Sequence, residues 1–201
     1  MTHLMWDEYD LEVTLLTPLL GTIAGNQDVW SQFQATKAPS PDAEIAASGD
    51  EFLVPELPTK GHTTFYTDTD GRPILRSYQL KGALKEWSNV VKKQLKVANL
   101  RHHVDVNVFV KPATMVLADK PDGTLERPLR AMTMQGPRVT VVSSDRIDPG
   151  KSWTWKIQVL NGSPVTLGVL EAMCEFGEMI GIGQWRTGEY GSVDARITPR
   201  Q

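Results

Sequence analysis

Two short stretches carry most of the chemical potential of this chain. The first is Gly181-Ile182-Gly183-Gln184-Trp185-Arg186-Thr187-Gly188-Glu189-Tyr190-Gly191. Four glycines in eleven residues permit positive φ and close approach of a ligand to the main chain, while Trp185, Arg186 and Tyr190 supply two stacking planes and a cation. A helix C-cap followed by a wide turn is the bland alternative, but a cap needs one glycine, not four. The stretch is no P-loop, because GxxxxGK[ST] is absent, and no strand precedes it as a dinucleotide fingerprint requires.

The second stretch runs from Gly71 through Arg72, Pro73, Arg76, Ser77, Lys81, Gly82 and Lys85. An extended segment enters a helix whose first turns hold lysines and a glycine. Cations near a helix N-terminus oppose the helix dipole, so a phosphate bound beside them relieves a local conflict. The alternative is a solvated lysine flank.

Other polar residues combine less well. Asp68 and Asp70 lie in Thr67-Asp68-Thr69-Asp70-Gly71, a turn signature, and His62, His102 and His103 are the candidates for acid–base work. Spacing assembles no nucleophile, base and orienting group from them. One Cys and an adjacent His pair do not make a metal-ligand set. The expectation is therefore no catalytic residue, no metal and no cofactor.

The elements that position these stretches are partly legible. Residues 10–17 read as a first strand. Ser77 to about Ala98 reads as a helix: Leu80, Leu84, Trp87, Val91 and Leu95 share one face, and Lys81, Lys85, Lys92 and Lys96 form a stripe about 110° round the cylinder. Val104 to Val110 alternates strictly and predicts a strand. Arg138 to Ser143 and Ser152 to Leu160 predict a hairpin turned by Asp148-Pro149-Gly150-Lys151. Pro164 to about Met179 predicts a second amphipathic helix with Pro164 in its first turn, and Ser192 to Ile197 a last strand.

The order β-α-β-β-α-β is that of an α+β, ferredoxin-like or RRM-like domain. A single domain over residues 1–201 is expected, with long loop insertions at about 36–61, rich in Pro and acid, and 112–137, irregular and carrying Arg127 and Arg130.

Composition bounds the class. The chain has 201 residues, of which 40% are hydrophobic and 22% charged, enough for a sizeable core without staples. Cys174 has no second cysteine to pair with, which suits a reducing, cytoplasmic setting. An acidic start and the lack of a ~20-residue apolar run argue against export and a membrane. The net charge of −3 argues against a generic polyanion binder, yet it hides a segregation. Residues 1–70 hold 2 basic and 12 acidic side chains, residues 72–111 hold 9 basic and 2 acidic, and residues 112–201 hold 10 of each. The middle is a basic island.

With these residues in view, "GRPILRSYQLKGALKEW" resembles a segment of the RAMP superfamily of CRISPR effector backbone subunits and guide-RNA-processing proteins. There a G-x-P turn leads into an S-x-x-K-G-x-[LI]-[RK] helix. "GIGQWRTGEYGSV" resembles that superfamily's glycine-rich loop between last helix and last strand. With "LLGTIAGN" and "ERPLRAMTMQG", the chain also looks like small RAMP-like proteins encoded in phages and prophages. The usual Ser-Ser before Lys-Gly is replaced here by Tyr78-Gln79-Leu80, with only Ser77 kept.

The resemblance implies a protein that binds single-stranded nucleic acid, RNA more than single-stranded DNA, in the cytoplasm of a bacterial host, as a homo-oligomer or filament along the strand. It implies that Arg76, Lys81 and Lys85 lie near the nucleic-acid backbone, with Gly181, Gly183, Trp185, Arg186, Gly188 and Tyr190 in the loop beside it. Arg127, Arg130 and Arg138 would belong to a thumb-like insertion. Two other readings stand beside it: a metal-independent endoribonuclease using His102 or His103, and a self-assembling or CRISPR-complex-interacting phage protein whose acidic N-terminal third docks on the basic island of a neighbour.

Overall fold

In the computed structural model the described residues are 5–24, 61–133 and 136–200, with the side chains of 129–140 left aside. The predicted insertion at 36–61 falls almost wholly outside them. In chain order the elements are strands β1 (Trp6–Leu15), β2 (Leu19–Leu20), β3 (Ile23–Ala24), β4 (His62–Thr64), β5 (Tyr66–Thr67) and β6 (Pro73–Arg76). Helices α1 (Ser77–Val91) and α2 (Leu100–Asn107) follow, then β7 (Val108–Lys111), β8 (Thr114–Val116), β9 (Gly123–Thr133), β10 (Gly136–Ile147) and β11 (Ser152–Leu160). Helices α3 (Leu167–Cys174) and α4 (Gly177–Ile180), a 3-10 turn over Arg186–Gly188 and β12 (Val193–Pro199) complete the chain. The protein is thus mixed α+β, and its residues gather in two compact units: 1–19, 75–117 and 148–201 in one, 20–74 and 118–147 in the other.

The first unit is built on a four-stranded sheet in the order β12-β1-β11-β7. Every neighbour is antiparallel, with Leu11 opposite both Trp155 and Ile197, and Ile157 opposite Val110. Because side chains alternate along a strand, one face carries Tyr9, Leu11, Val13, Leu15, Trp153, Trp155, Ile157, Val159, Val108 and Val110, all buried. Helices α1 and α3 add Leu80, Leu84, Trp87, Val91, Leu170 and Met173 to the same core. Burying Trp87 and Trp155 completely contributes several kcal/mol at about 25 cal/mol per Å2.

Several local expectations change. The alternating Val104–Val110 is half helix: α2 holds Leu100 and Val104, buried and one turn apart, and only Val108–Lys111 is strand. Alternating valines fit both periods where every fourth residue is also apolar, and packing on a neighbouring helix decides between them. Helix α1 ends at Val91 instead of near Ala98, so Lys96 sits in left-handed backbone at φ 53° and the four-lysine stripe shortens to Lys81 and Lys85. Pro164 precedes α3, which begins at Leu167 under a Thr166 cap whose Oγ1 accepts from the Val169 amide at 3.4 Å.

The predicted hairpin between 138–143 and 152–160 does not form. β11 pairs with β1 and β7, while β10 pairs with β9 and, in parallel, with β4. The Pro-Gly turn, with Gly150 at φ 89°, hands the chain from one sheet to another. The described part of 112–137 is also not irregular, since Thr114–Val116 is β8 and Gly123–Thr133 is β9, in register with β10 from Gly136↔Thr133 to Arg146↔Gly123.

The second unit rests on that β9–β10 hairpin and on β4. The parallel register Ser143↔His62 and Ser144↔Thr63 stacks polar side chains across two strands. His62 is 7% exposed; its Nδ1 lies 2.6 Å from Ser143 Oγ and its Nε2 3.0 Å from Asp145 Oδ1. Thr64 Oγ1 donates to Asp145 Oδ2 at 2.6 Å. This buried network is satisfied internally, as buried polar groups must be.

Candidate nucleic-acid interface

The lysines of α1 are held by α2. Lys85 Nζ lies 3.1 Å from Asp105 Oδ1, and Lys81 Nζ donates to the Asp105 main-chain carbonyl at 2.6 Å, with Oδ1 at 4.0 Å. A cation at the C-terminal carbonyls of α2 complements that helix's dipole, which explains why both ammonium groups turn toward it. Lys81 and Lys85 remain about a quarter exposed. Burial pushes the Lys81 ammonium below its usual range, with Lys85 adding repulsion and Asp105 opposing both. The hydrogen bond from Lys85 holds the Asp105 carboxyl below the ordinary carboxylate range. The result is two cations bracketing one surface carboxylate.

An aromatic edge adjoins them. Lys81 Nζ stands 5.3 Å from the centroid of Phe109, and Phe109 meets Trp6 edge-to-face at 5.2 Å and 88°. Both rings belong to the outer face of the sheet, opposite the core. Further along that face charges pair with one another: Glu8 takes Lys156 at 2.6 Å and Gln158 at 2.6 Å, and Arg200 lies 3.4 Å from Asp10.

The glycine segment is folded on itself. Ile182 N donates to Gly191 O at 2.8 Å, Gly191 N to Pro18 O at 2.9 Å, and Gly188 N to Trp185 O at 2.9 Å. A Cβ on Gly191 would fall 2.0 Å from Ile182 O, one on Gly181 2.6 Å from Gly191 O, and one on Gly188 2.8 Å from the Trp185 ring. The space these glycines leave is filled by the protein's own chain, which corrects the expectation that it admits a ligand. Trp185 and Tyr190 stack on each other at 5.1 Å and 10°, so each ring has one face already occupied. Trp185 and Glu189 take left-handed backbone at φ 55° and 65°. Thr17 pins this conformation: its Oγ1 donates to Glu189 O at 2.7 Å and accepts from Ser192 N at 2.9 Å. Arg186 and the two rings are half-buried.

The two motifs meet through Trp87. Its Nε1 donates to Gly181 O at 3.3 Å, tying the buried face of the lysine helix to the first glycine. Sequence periodicity placed Trp87 on the apolar face without identifying this bond, and it gave no sign of Thr17, Phe109 or Trp6.

Other expected site residues lie elsewhere. Arg76, 8% exposed, is the N-cap residue of α1, where its amide donates to Gln79 Oε1 at 2.9 Å. Arg127, 5% exposed, gives Nη1 to Ser144 Oγ at 3.2 Å inside the second unit. Both residues are buried, contrary to expectation, so neither guanidinium is offered to solvent as a surface cation. Arg130 and Arg138 stand opposite Val139 and Ala131 in the β9–β10 register, and their side chains lie outside the described residues. Gly183 takes φ 79° within the same closed loop.

Among the candidates for acid–base chemistry, Asp68 shapes a turn by accepting from the amides of Asp70 and Arg72 at 3.1 and 2.8 Å. His102 and His103 lie on α2, rings 6.1 Å apart, not at a strand entry. The Ser143–His62–Asp145 array places a hydroxyl and a carboxylate on the two ring nitrogens. Ser143, however, sits in mid-strand with its amide donated to Gly61 O at 3.1 Å, so it has no free amide to form an oxyanion hole. Among the described residues no three His, Cys, Asp or Glu side chains gather as a metal-ligand group, and no helix is long and apolar enough to cross a membrane. A groove of about 620 Å3 along β12 is lined by Glu171, Glu175, Glu178 and Asp194, with Arg196, and its sign is wrong for a phosphate.

No protein-family model matches the sequence, and no curated protein matches it. Among solved structures the chain is similar to one in "Cryo-EM structure of the Type III-B Cmr-beta bound to cognate target RNA", at a TM-score of 0.48 and 14% identity. The match covers 97% of this chain and 61% of the other, so the protein spans about three fifths of the length of that solved chain.

Proposed function

We propose that the protein binds single-stranded nucleic acid, RNA in preference to DNA, through the α1 lysines and the exposed rim of the glycine loop. The observation that carries this reading is the cluster of Lys81 and Lys85, both partly exposed, beside the exposed aromatic edge of Phe109. Cations that track phosphates next to rings that stack bases are the two components of sequence-tolerant single-strand binding. Arg186, between Trp185 and Tyr190 in the chain, adds a third cation on the loop that Trp87 joins to α1.

The fold reading goes with it. The strand order β12-β1-β11-β7, antiparallel throughout, with helices after the first and third strands, supports a ferredoxin-like, RRM-like unit of RAMP type. In that reading the whole chain is one such domain, and its second unit grows from the insertions. The motif resemblance supports a phage-encoded protein that acts in the host cytoplasm. Segregation of acid in residues 1–70 from base in 72–111 favours head-to-tail assembly of copies along the strand.

A salt titration tests the binding. With several phosphates neutralised, log K falls with log[salt] at roughly −0.7 per contact on a single strand. Lys81→Glu and Arg186→Ala each weaken binding while the circular dichroism of the fold is kept. No binding to RNA or DNA oligomers at low salt overturns the reading, and a competition between matched RNA and DNA oligomers decides the preference. Light scattering with and without oligomer reads the assembly.

A further inference from the structure

We infer that Trp6 and Phe109 form the base-stacking half of a one-nucleotide subsite, with Lys81 and Lys85 as its phosphate half and Asp105 as an internal competitor for the phosphate. The inference rests on the nucleic-acid reading above and deepens it.

Three observations converge on this corner. Phe109 is 42% exposed on β7, between Val108 and Val110, which point into the core. On the outward side of β7 Phe109 touches the ring of Trp6 and stands among Lys111 and Gln158, so part of its ring surface is left uncovered by the fold. Next, the edge-to-face contact with Trp6 leaves whichever ring presents its edge with both flat faces unspent on the partner. A nucleobase uses such a face, whatever its identity. Finally, the cation over Phe109 is Lys81, which shares Asp105 with Lys85.

Asp105 presents to these lysines what a phosphodiester would: an anionic oxygen within 4.0 Å of both ammonium groups. It is half exposed, so an incoming phosphate displaces it at little cost. Once the carboxylate swings away, the same two cations hold the phosphate while its base lies over the aromatic edge. On the nearby outer face Lys156 and Arg200 are already paired with Glu8 and Asp10, whereas Lys111, two residues along β7 from Phe109, is exposed and extends the basic edge.

The ligand is an unpaired nucleotide within a chain, recognised by its ring plane and one phosphodiester. RNA and DNA share that chemistry, so the experiment uses both. Fluorescence anisotropy would follow oligo-U and oligo-dT of equal length, and an abasic oligomer of the same charge, against the full chain, Phe109→Leu and Phe109→Tyr. Expected is a loss of about five-fold or more for base-bearing oligomers with Phe109→Leu, near-normal binding with Phe109→Tyr, and no difference between variants on the abasic oligomer, where the salt slope is unchanged. Equal affinity of the unmodified protein for abasic and base-bearing oligomers overturns the subsite while leaving phosphate binding standing. So does full retention of affinity by Phe109→Leu. Failure of the unmodified protein to bind any oligomer at low salt overturns the nucleic-acid reading itself and the subsite with it.

Discussion

The carboxylate of Asp105, on the last turns of α2, lies 3.1 Å from the ammonium of Lys85 on α1. This contact crosses between two helices and reduces the charge of the basic island at the place where it is best positioned for a phosphate.

Replacing Asp105 by Asn keeps the shape and removes the charge. Exposed ion pairs are worth roughly 0.2–1 kcal/mol, so Asp105→Asn is expected to tighten oligonucleotide binding by about 1.4- to 5-fold, measured by anisotropy at low salt. Lys85→Gln should weaken it. The same contact has an acid signature. The folded pKa of Asp105 is depressed, so its stabilisation is present above the ordinary carboxylate value of about 3.9 and fades as pH falls through the lower folded value. An Asp105→Asn variant should therefore lose less stability than the parent as pH falls below about 4. Tighter binding failing to appear would mean that the lysines do not meet phosphate.

Glycine replacements separate the two motifs. Gly191→Ala places a Cβ 2.0 Å from Ile182 O at φ 71°, and Gly181→Ala one 2.6 Å from Gly191 O at φ 66°. Each is expected to cost more than about 1 kcal/mol, since the chain can yield only by breaking the Ile182–Gly191 hydrogen bond. Gly82, inside α1, has nothing within 4 Å of its missing Cβ. Gly82→Ala should raise stability by about 0.5–1 kcal/mol through helix propensity alone. For a chain of this size that is a rise of about 1–4 °C in melting temperature, against a fall of more than about 2 °C for either loop variant.

What the sequence made legible follows from period and composition. The helix α1 was readable because Leu80, Leu84, Trp87 and Val91 repeat with its turn, and all four are buried. Its end was not, because Leu95 and Lys96 continue the pattern past Val91, where the helix stops, and the backbone turns left-handed only at Lys96. Val104 to Val110 misled because Leu100 and Val104 also satisfy a helical spacing, and α1 supplied the surface that selected it. Strand pairing is non-local, so the Pro-Gly turn announced a reversal without saying that its two strands enter different sheets. The interface splits in the same way. Lys81 and Lys85 stood out by spacing, but their shared Asp105 and the Phe109 ring come from other elements and have no sequence signal that binds them together. Arg76 and Arg127 looked like surface cations because charge is the only property a sequence shows.

Cys174 reports on the core. It is buried on α3, and burial pushes its thiol up to about 12, with Glu171 adding repulsion of the thiolate. The thiolate is the reactive form, so iodoacetamide at pH 8 should leave the folded protein unlabelled and modify one cysteine in denaturant, as read by mass spectrometry. The sign for stability is the reverse of that for a depressed acid. Between the ordinary thiol value near 8.5 and 12 only the unfolded chain ionises, so this group contributes a loss of stability as pH rises. Rapid labelling of the native protein would show that α3 opens readily from the sheet.

Thr17 is the least conspicuous residue with a defined task. One hydroxyl donates to Glu189 O at 2.7 Å and accepts from Ser192 N at 2.9 Å, bridging the far end of the glycine loop to the segment that follows β1. Glu189 there holds φ 65°, a backbone state that a non-glycine residue keeps only when its surroundings impose it. Thr17→Val retains the branched shape and deletes both bonds. The expected cost is about 1–2 kcal/mol, with hydrogen exchange accelerated over Trp185–Ser192 and unchanged in β11. Because the Trp185–Tyr190 stack and Arg186 ride on this loop, the same variant should lower oligonucleotide affinity without altering the contribution of Lys81. A double variant with Lys81→Gln should then show additive losses if, as proposed, the loop and the lysines contact the strand at separate points. Strong coupling between the two would mean that loop and lysines grip the same phosphate.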